Sequence, residues 1–200
     1  MTTAEEHKQA MQALQAEQKA KVASSEYIER GLVLVHTGDG KGKSSSAFGV
    51  TCRALGWGHQ VGVVQFIKGT WKTGEREFFK RFPDQLTWET MGEGFTWNTQ
   101  DRDRDIAAAT AAFDTATAMM SSGDFDLIVL DEINIALRYD YLDIKNVISS
   151  IEQRSTRSSV ILTGRDAKAE LMDMADLVSE MKEIKHPFKS GIKAKQGIDF

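Results

Sequence analysis

The sequence predicts an α/β protein: one domain built on a mostly parallel sheet of about six strands, with helices on both faces and an N-terminal helical arm. Three observations lead there. Short apolar runs alternate with helix-like stretches along most of the chain. The first run, Leu32 to Val35, breaks into a glycine-rich loop that opens a helix. The fourth, Phe125 to Leu130, ends in two carboxylates, Asp131 and Glu132. Sheets of this kind bind ligands at the C-terminal ends of their strands.

The glycine-rich loop runs Thr37-Gly38-Asp39-Gly40-Lys41-Gly42-Lys43-Ser44. Strand, glycine loop ending in Gly-Lys-Ser, then helix is the sequence form of a phosphate-binding loop. Glycines let successive N–H groups turn inward, and the helix N-terminus adds unpaired N–H groups with partial positive charge. Lys43 supplies a point charge, and the Ser44 hydroxyl suits Mg²⁺. The match is irregular. The usual pattern places glycine where Thr37 stands, and here the first glycine is Gly38. The plain alternative is a generic turn between strand and helix. An apolar run ending in Asp131-Glu132 is the second nucleotide motif, a carboxylate facing Mg²⁺ or its water shell. The pair predicts a P-loop, RecA-like domain.

The remaining elements follow in order. Residues 1–26 are rich in Ala, Gln, Glu and Lys, with a thin apolar stripe, and predict a solvated helix or an arm that orders on contact. Residues 27–200 form the domain. Ser45 to Leu55 reads as the helix after the loop, closed by Gly56-Trp57-Gly58. Val61 to Ile67 is a second strand, with Lys68 at its end. A short helix spans Glu75 to Arg81, and Leu86 to Met91 alternates as a third strand. Gly94-Phe95-Thr96-Trp97 puts two large aromatics in a glycine-flanked loop, where either core packing or a binding role accounts for them. Asp101 to Ser122 is a long helix, with Arg102 and Arg104 as surface charges. Two helical stretches follow Glu132, the second capped by Asp143. Ser158 to Arg165 is a fifth strand with Arg165 at its mouth, then a helix to Met174, a last strand from Leu177, and a basic, glycine-punctuated tail.

Composition excludes several classes. Over 200 residues the net charge is −4 and the pI about 5.6, against a general nucleic-acid binder. No stretch approaches the about 18 apolar residues of a membrane span. The polar, acid-bearing N-terminus is unlike a signal peptide, and the chain is expected in the cytoplasm. Cys52, the single cysteine, is expected as a buried structural thiol. The four histidines show no zinc spacing.

Several segments resemble, in the same order, those of the ATP:corrinoid adenosyltransferases. These are the loop Thr37 to Ser44, Val64 to Gly69, Gly94 to Trp97, Val129 to Glu132, Leu162 to Arg165, Val178 to Met181 and Gly191 to Ala194. That family shares the irregular first glycine. Ser44 and Ser45 stand where it has two threonines, and Lys195 where its tail usually has Gln. Residues 1–26 match in character alone.

The resemblance implies an enzyme that moves the 5′-deoxyadenosyl group of ATP onto cobalt(I) of a corrinoid, cob(I)alamin or cobyrinic acid a,c-diamide, releasing triphosphate. It implies Mg²⁺ or Mn²⁺, a homodimer and a flavodoxin-like flavoprotein as reductant. By the same resemblance Gly38, Asp39, Gly40, Lys41, Gly42, Lys43, Ser44, Ser45 and Arg165 hold ATP. Ser44, Asp131 and Glu132 serve the metal. Lys43, Phe95 and Trp97 act in catalysis, the two aromatics by pressing on the corrin face and excluding the lower axial ligand. The arm would close over the corrinoid. Two other classes fit the bare motifs: an ordinary phosphoryl-transfer enzyme recruiting Arg102 or Arg104, and a non-catalytic nucleotide-gated binding module.

Overall fold

The computed structural model describes residues 3–67, 72–91 and 101–199. Six strands lie in one sheet: β1 (Val33–Thr37), β2 (Val61–Gln65), β3 (Leu86–Thr90), β4 (Leu127–Asp131), β5 (Ser159–Thr163) and β6 (Leu177–Glu180). Their order is β3-β2-β4-β5-β1-β6 and every pairing is parallel. The helices are α1 (Ala4–Ser24), α2 (Lys43–Gly56), α3 (Gly74–Phe79), α4 (Arg102–Ser122), α5 (Ile133–Arg138), α6 (Ile144–Glu152) and α7 (Ala169–Met174). The strand of the glycine loop and the strand of the two acids are separated by β5, the RecA-like arrangement expected of the P-loop class.

The central strands are apolar up to their C-terminal ends because both faces are covered, and polar residues enter at that edge: His36, Gln65, Asp131 and Thr163. Val160 and Leu162 point into one cluster and Ile161 into the other. Val129 likewise faces away from Ile128 and Leu130. One cluster packs α4, α5, α6 and α7 through residues such as Ala112, Met120, Leu137, Val147 and Leu171. The other packs α2 and α3, where Phe48 meets Trp88 and Phe79 with ring centroids 5.3 and 6.0 Å apart. Edge strand β3 shows the alternation read from its sequence, with Thr87 and Glu89 facing solvent.

α1 buries no residue and is started by a capping box. Thr3 N–H donates to Glu6 Oε2 at 2.7 Å and Glu6 N–H to Thr3 Oγ1 at 3.3 Å. Such a box satisfies two of the orphan donors at a helix start without any tertiary contact. Cys52 corrects an expectation: it is exposed. α2 turns Ala47, Phe48, Thr51, Ala54 and Leu55 to the sheet, and Cys52 sits past the edge of that stripe.

The domain's entry is tied down by a salt bridge. Arg30 donates twice to Asp176, at 2.8 and 2.6 Å, and Asp176 also accepts the Val33 N–H at 2.9 Å. The guanidinium and that N–H hold the Asp176 carboxyl down at about 2. A carboxyl depressed from 3.8 to about 2 contributes stability that is complete above its unfolded value and disappears as pH falls through the folded one. Asp176→Asn is therefore expected to lower stability at neutral pH by about 1 kcal/mol, the upper range for a partly exposed pair. The gap from wild type should close between about pH 4 and pH 2 in denaturant titrations.

Candidate functional site

The glycine loop leaves β1 at Thr37 and ends at Gly42, which caps α2 from the left-handed region (φ 118°) with no side-chain cap on the helix. Among the described residues no side chain caps the first N–H groups of α2, the arrangement that favours an anion. Lys43 is the first residue of α2 and is buried, with its Nζ 2.7 Å from the Gly40 carbonyl. Burial lowers its pKa. The Glu132 carboxylate opposes that shift, the Arg165 cation adds to it and Asp39 opposes it. Loop, β4 end and β5 end thus converge electrostatically on one ammonium. Ser44 and Ser45 follow in the same turn, Ser44 half-buried and Ser45 exposed.

Two of the glycines answer to a neighbour that the sequence did not reveal. A Cβ at Gly38 would lie 2.5 Å from the Met181 carbonyl oxygen, and one at Gly40 would lie 2.8 Å from backbone of Met181 and Lys182. The chain leaving β6 presses on the loop's outer side. Gly40 N–H donates to Met181 O at 2.6 Å, so that group is already engaged. Beside this wall is a pocket of about 730 Å³ lined by Asp39, Arg165, Glu180, Lys182, Glu183 and Lys189. Arg165 touches the loop at the Asp39 carbonyl, 3.4 Å away.

Asp131 is fully buried at the end of β4. One oxygen accepts from Gln65 Nε2 at 2.9 Å, the other from Thr163 Oγ1 at 2.8 Å. Thr163 Oγ1 accepts in turn from the Glu132 N–H at 2.9 Å. Gln65 Oε1 takes the Trp88 indole N–H at 3.2 Å. A polar chain thus runs across the C-terminal edge from β3 to β5. Glu132 adopts φ 66°, ψ 19°, a left-handed conformation that costs a non-glycine residue about 1–2 kcal/mol. Gly164 gives it room: a Cβ there would meet Asn134 Cβ at 2.9 Å and Glu132 Oε2 at 3.3 Å.

Gln65, Thr163 and Asn134 had no role in the reading of the sequence, although Gln65 and Thr163 lie inside quoted segments. Asn134 is buried, its amide nitrogen on the Gly164 carbonyl at 3.2 Å and its Oδ1 without a partner among the described residues. His36 was likewise passed over. It is buried under the loop, where Ser46 Oγ lies 2.8 Å from its Nδ1, and burial lowers its pKa. Lys68, Phe95 and Trp97 lie outside the described residues. Arg102 is engaged elsewhere, donating to the Tyr139 and Asp140 carbonyls at 3.2 and 3.5 Å and lying over the Tyr141 ring.

The donors near the loop are hard oxygens: the Ser44 hydroxyl and the Glu132 carboxylate, with Asp131 already bonded on both oxygens. Among the described residues no group of three or more His, Cys, Asp or Glu could hold a metal ion. Such a sparse oxygen set fits Mg²⁺, which keeps several waters and takes one or two carboxylates plus substrate phosphate.

Comparison with known proteins gives the family. Residues 29–200 match the model of the ATP:corrinoid adenosyltransferase BtuR/CobO/CobP family. The chain belongs to that family. It is similar to a corrinoid adenosyltransferase of Pseudomonas aeruginosa, 50% identical over 97% of this chain and 95% of that one. It is 43% identical to the corrinoid adenosyltransferase CobA of Salmonella typhimurium over 98% of each. Among solved structures, the KaiC-like protein PH0186 of Pyrococcus horikoshii aligns at TM-score 0.43 and 15% identity, over 78% of this chain and 75% of that one. Among the described residues no helix is long and apolar enough to cross a membrane.

The polar chain makes a sharp prediction for this family member. Thr163→Val keeps the shape but removes both of the hydroxyl's bonds, the one accepted from the Glu132 N–H and the one donated to Asp131. Stability should fall by about 1–3 kcal/mol, read as a lowered denaturant midpoint. Gly40→Ala should also destabilise, whereas Gly49→Ala on α2, with nothing within 4 Å, should be neutral or slightly stabilising by thermal melt.

Proposed function

We propose that this protein transfers the 5′-deoxyadenosyl group of ATP to cobalt(I) of a corrinoid and releases triphosphate, in adenosylcobalamin synthesis or corrinoid salvage. The observation that carries the residue assignment is the buried Lys43 at the start of α2, in a loop whose Gly38 and Gly42 are left-handed, within electrostatic reach of Glu132 and Arg165. In this reaction cobalt(I) donates an electron pair to C5′. The cobalt–carbon bond forms as the C5′–O bond breaks, and both electrons of that bond leave with triphosphate. The protein must hold C5′ in line and stabilise a departing polyanion.

Lys43, the N–H groups of the first turn of α2 and Arg165 supply positive potential for the triphosphate. Lys41 adds a cation on the rim, and Gly38, Asp39, Gly40, Gly42, Ser44 and Ser45 complete the cradle. Ser44 and Glu132 would hold Mg²⁺ or Mn²⁺, with Asp131 orienting through Gln65 and Thr163, and the ion would supply charge neutralisation on the phosphates. Phe95 and Trp97 are assigned, by resemblance to the family, to the corrin face, where a dry wall excludes the lower axial ligand. The same resemblance supplies a flavodoxin-like reductant, a homodimer and an arm, residues 1–26, that closes over the corrinoid on the domain of residues 27–200; the polar N-terminus and the single cysteine favour residence in the cytoplasm.

The test is anaerobic. Protein, ATP, Mg²⁺ and chemically reduced cob(I)alamin should give a light-sensitive cobalt–carbon product together with triphosphate. ADP and phosphate instead would make it a phosphoryl-transfer enzyme. Binding of ATP without either product would leave a nucleotide-gated module. Lys43→Ala should lower transfer by at least about a hundredfold, as for loss of one preorganised charge contact. Near-normal turnover would remove the loop from the mechanism. Phe95→Ala and Trp97→Ala should slow reaction from cobalt(II) far more than from preformed cobalt(I), and equal losses would count against the aromatic wall.

A further inference from the structure

We infer that Asp199, in the last turn of the chain, is a positioning residue for the phosphate loop and acts through Lys41. The inference rests on the nucleotide reading above. The loop carries two lysines that point in different directions. Lys43 is buried and turned inward onto the Gly40 carbonyl. Lys41 points outward, its side chain half exposed, and its ammonium is bonded to Asp199 Oδ1.

Asp199 is not a loose terminal acid. Its side chain is only 11% exposed, although the residues around it face solvent. Its second oxygen accepts the Lys195 N–H at 2.8 Å, and its own N–H donates to Lys195 O at 2.8 Å. Ile198 N–H also reaches that carbonyl, at 3.1 Å. The carboxylate is thus fixed by its own turn before it meets the lysine. The Lys41 ammonium, then the Lys195 N–H, hold its pKa below the usual carboxylate range, so it stays charged at neutral pH.

The second point of support is at Gly40. Its N–H is bonded to Met181 O, and the backbone of residues 181–182 lies against Gly38 and Gly40. Chain from the β6 exit to the C-terminal turn therefore grips the loop twice, once by backbone at Gly38 and Gly40 and once by charge at Lys41. A lysine left free at the tip would sample many rotamers and would have to be ordered again when an anion binds. Asp199 fixes the tip of the loop in advance, and preorganisation of this kind appears as affinity rather than as rate.

The experiment titrates the full-length protein with inorganic triphosphate and Mg²⁺ by calorimetry and measures KM and kcat for ATP. Variants are Asp199→Ala, Asp199→Glu, Lys41→Ala, the double Lys41→Ala/Asp199→Ala, and Lys43→Ala. Asp199→Ala should weaken triphosphate binding and raise KM for ATP by about three- to tenfold, the range for ordering one rotamer-rich side chain, with kcat little changed. Asp199→Glu should recover most of the loss. In the Lys41→Ala background the Asp199 change should have no further effect, because the acid acts through that lysine. An Asp199→Ala protein that binds as wild type or more tightly, or losses that add in the double variant, would overturn the inference. Lys43→Ala separates the two levels. If it abolishes binding while Asp199→Ala has no effect, the tail inference alone fails. If it leaves binding intact, the nucleotide reading fails as well.

Discussion

Everything at the C-terminal edge of the sheet depends on keeping one buried charge satisfied. Asp131 is closed off from water, and a carboxylate in that position is tolerable only when its oxygens are hydrogen-bonded. Gln65 from β2 and Thr163 from β5 do this, one from each side. Their bonds lock three neighbouring strands in register at their C-terminal ends. Thr163 then reaches the next backbone N–H, and that contact supports the left-handed turn of Glu132. The chain of bonds decides where Glu132, Gly164 and Arg165 emerge, and thereby what faces Lys43.

A second constraint acts from the other side. β6 is an edge strand with exposed Leu177 and Val178, and it adds little to the core. Its importance lies in where it sends the chain. The residues after it run against the glycine loop closely enough that a Cβ at Gly38 or Gly40 would collide with their backbone. The loop is therefore held between the buried edge network and the C-terminal segment. This also accounts for the irregular spacing of its glycines: Gly38 and Gly40 make room for a neighbouring backbone, while Gly42 supplies the left-handed turn into α2.

Much of the fold was legible because its strands are short apolar runs and its helices carry an evident face. α4 begins at the Asp101 cap and ends at Gly123, and α6 begins at the Asp143 cap, as local chemistry alone requires. The motif residues Lys43, Glu132 and Arg165 were legible for the same reason, since each sits at a junction that composition marks. Cys52 was misread because residue type says less than helical phase: the stripe through Thr51 and Leu55 leaves it outside. His36 and Asn134 escaped notice because nothing in their local sequence separates a buried polar residue beside a site from one that merely ends a strand or starts a helix.

The sequence by itself determined the order of elements, the parallel sheet and the positions of the glycine loop and the Asp131-Glu132 pair at strand ends, because these follow from periodicity, capping and backbone freedom within a few residues. Tertiary structure alone decided the rest. Strands distant in sequence had to be neighbours before Gln65 and Thr163 could flank Asp131. β6 had to return beside β1 before its exit could press on Gly38 and Gly40. The last turn had to fold back across the domain before Asp199 could meet Lys41. Each is a contact between residues far apart along the chain, and local pattern carries no record of such distances.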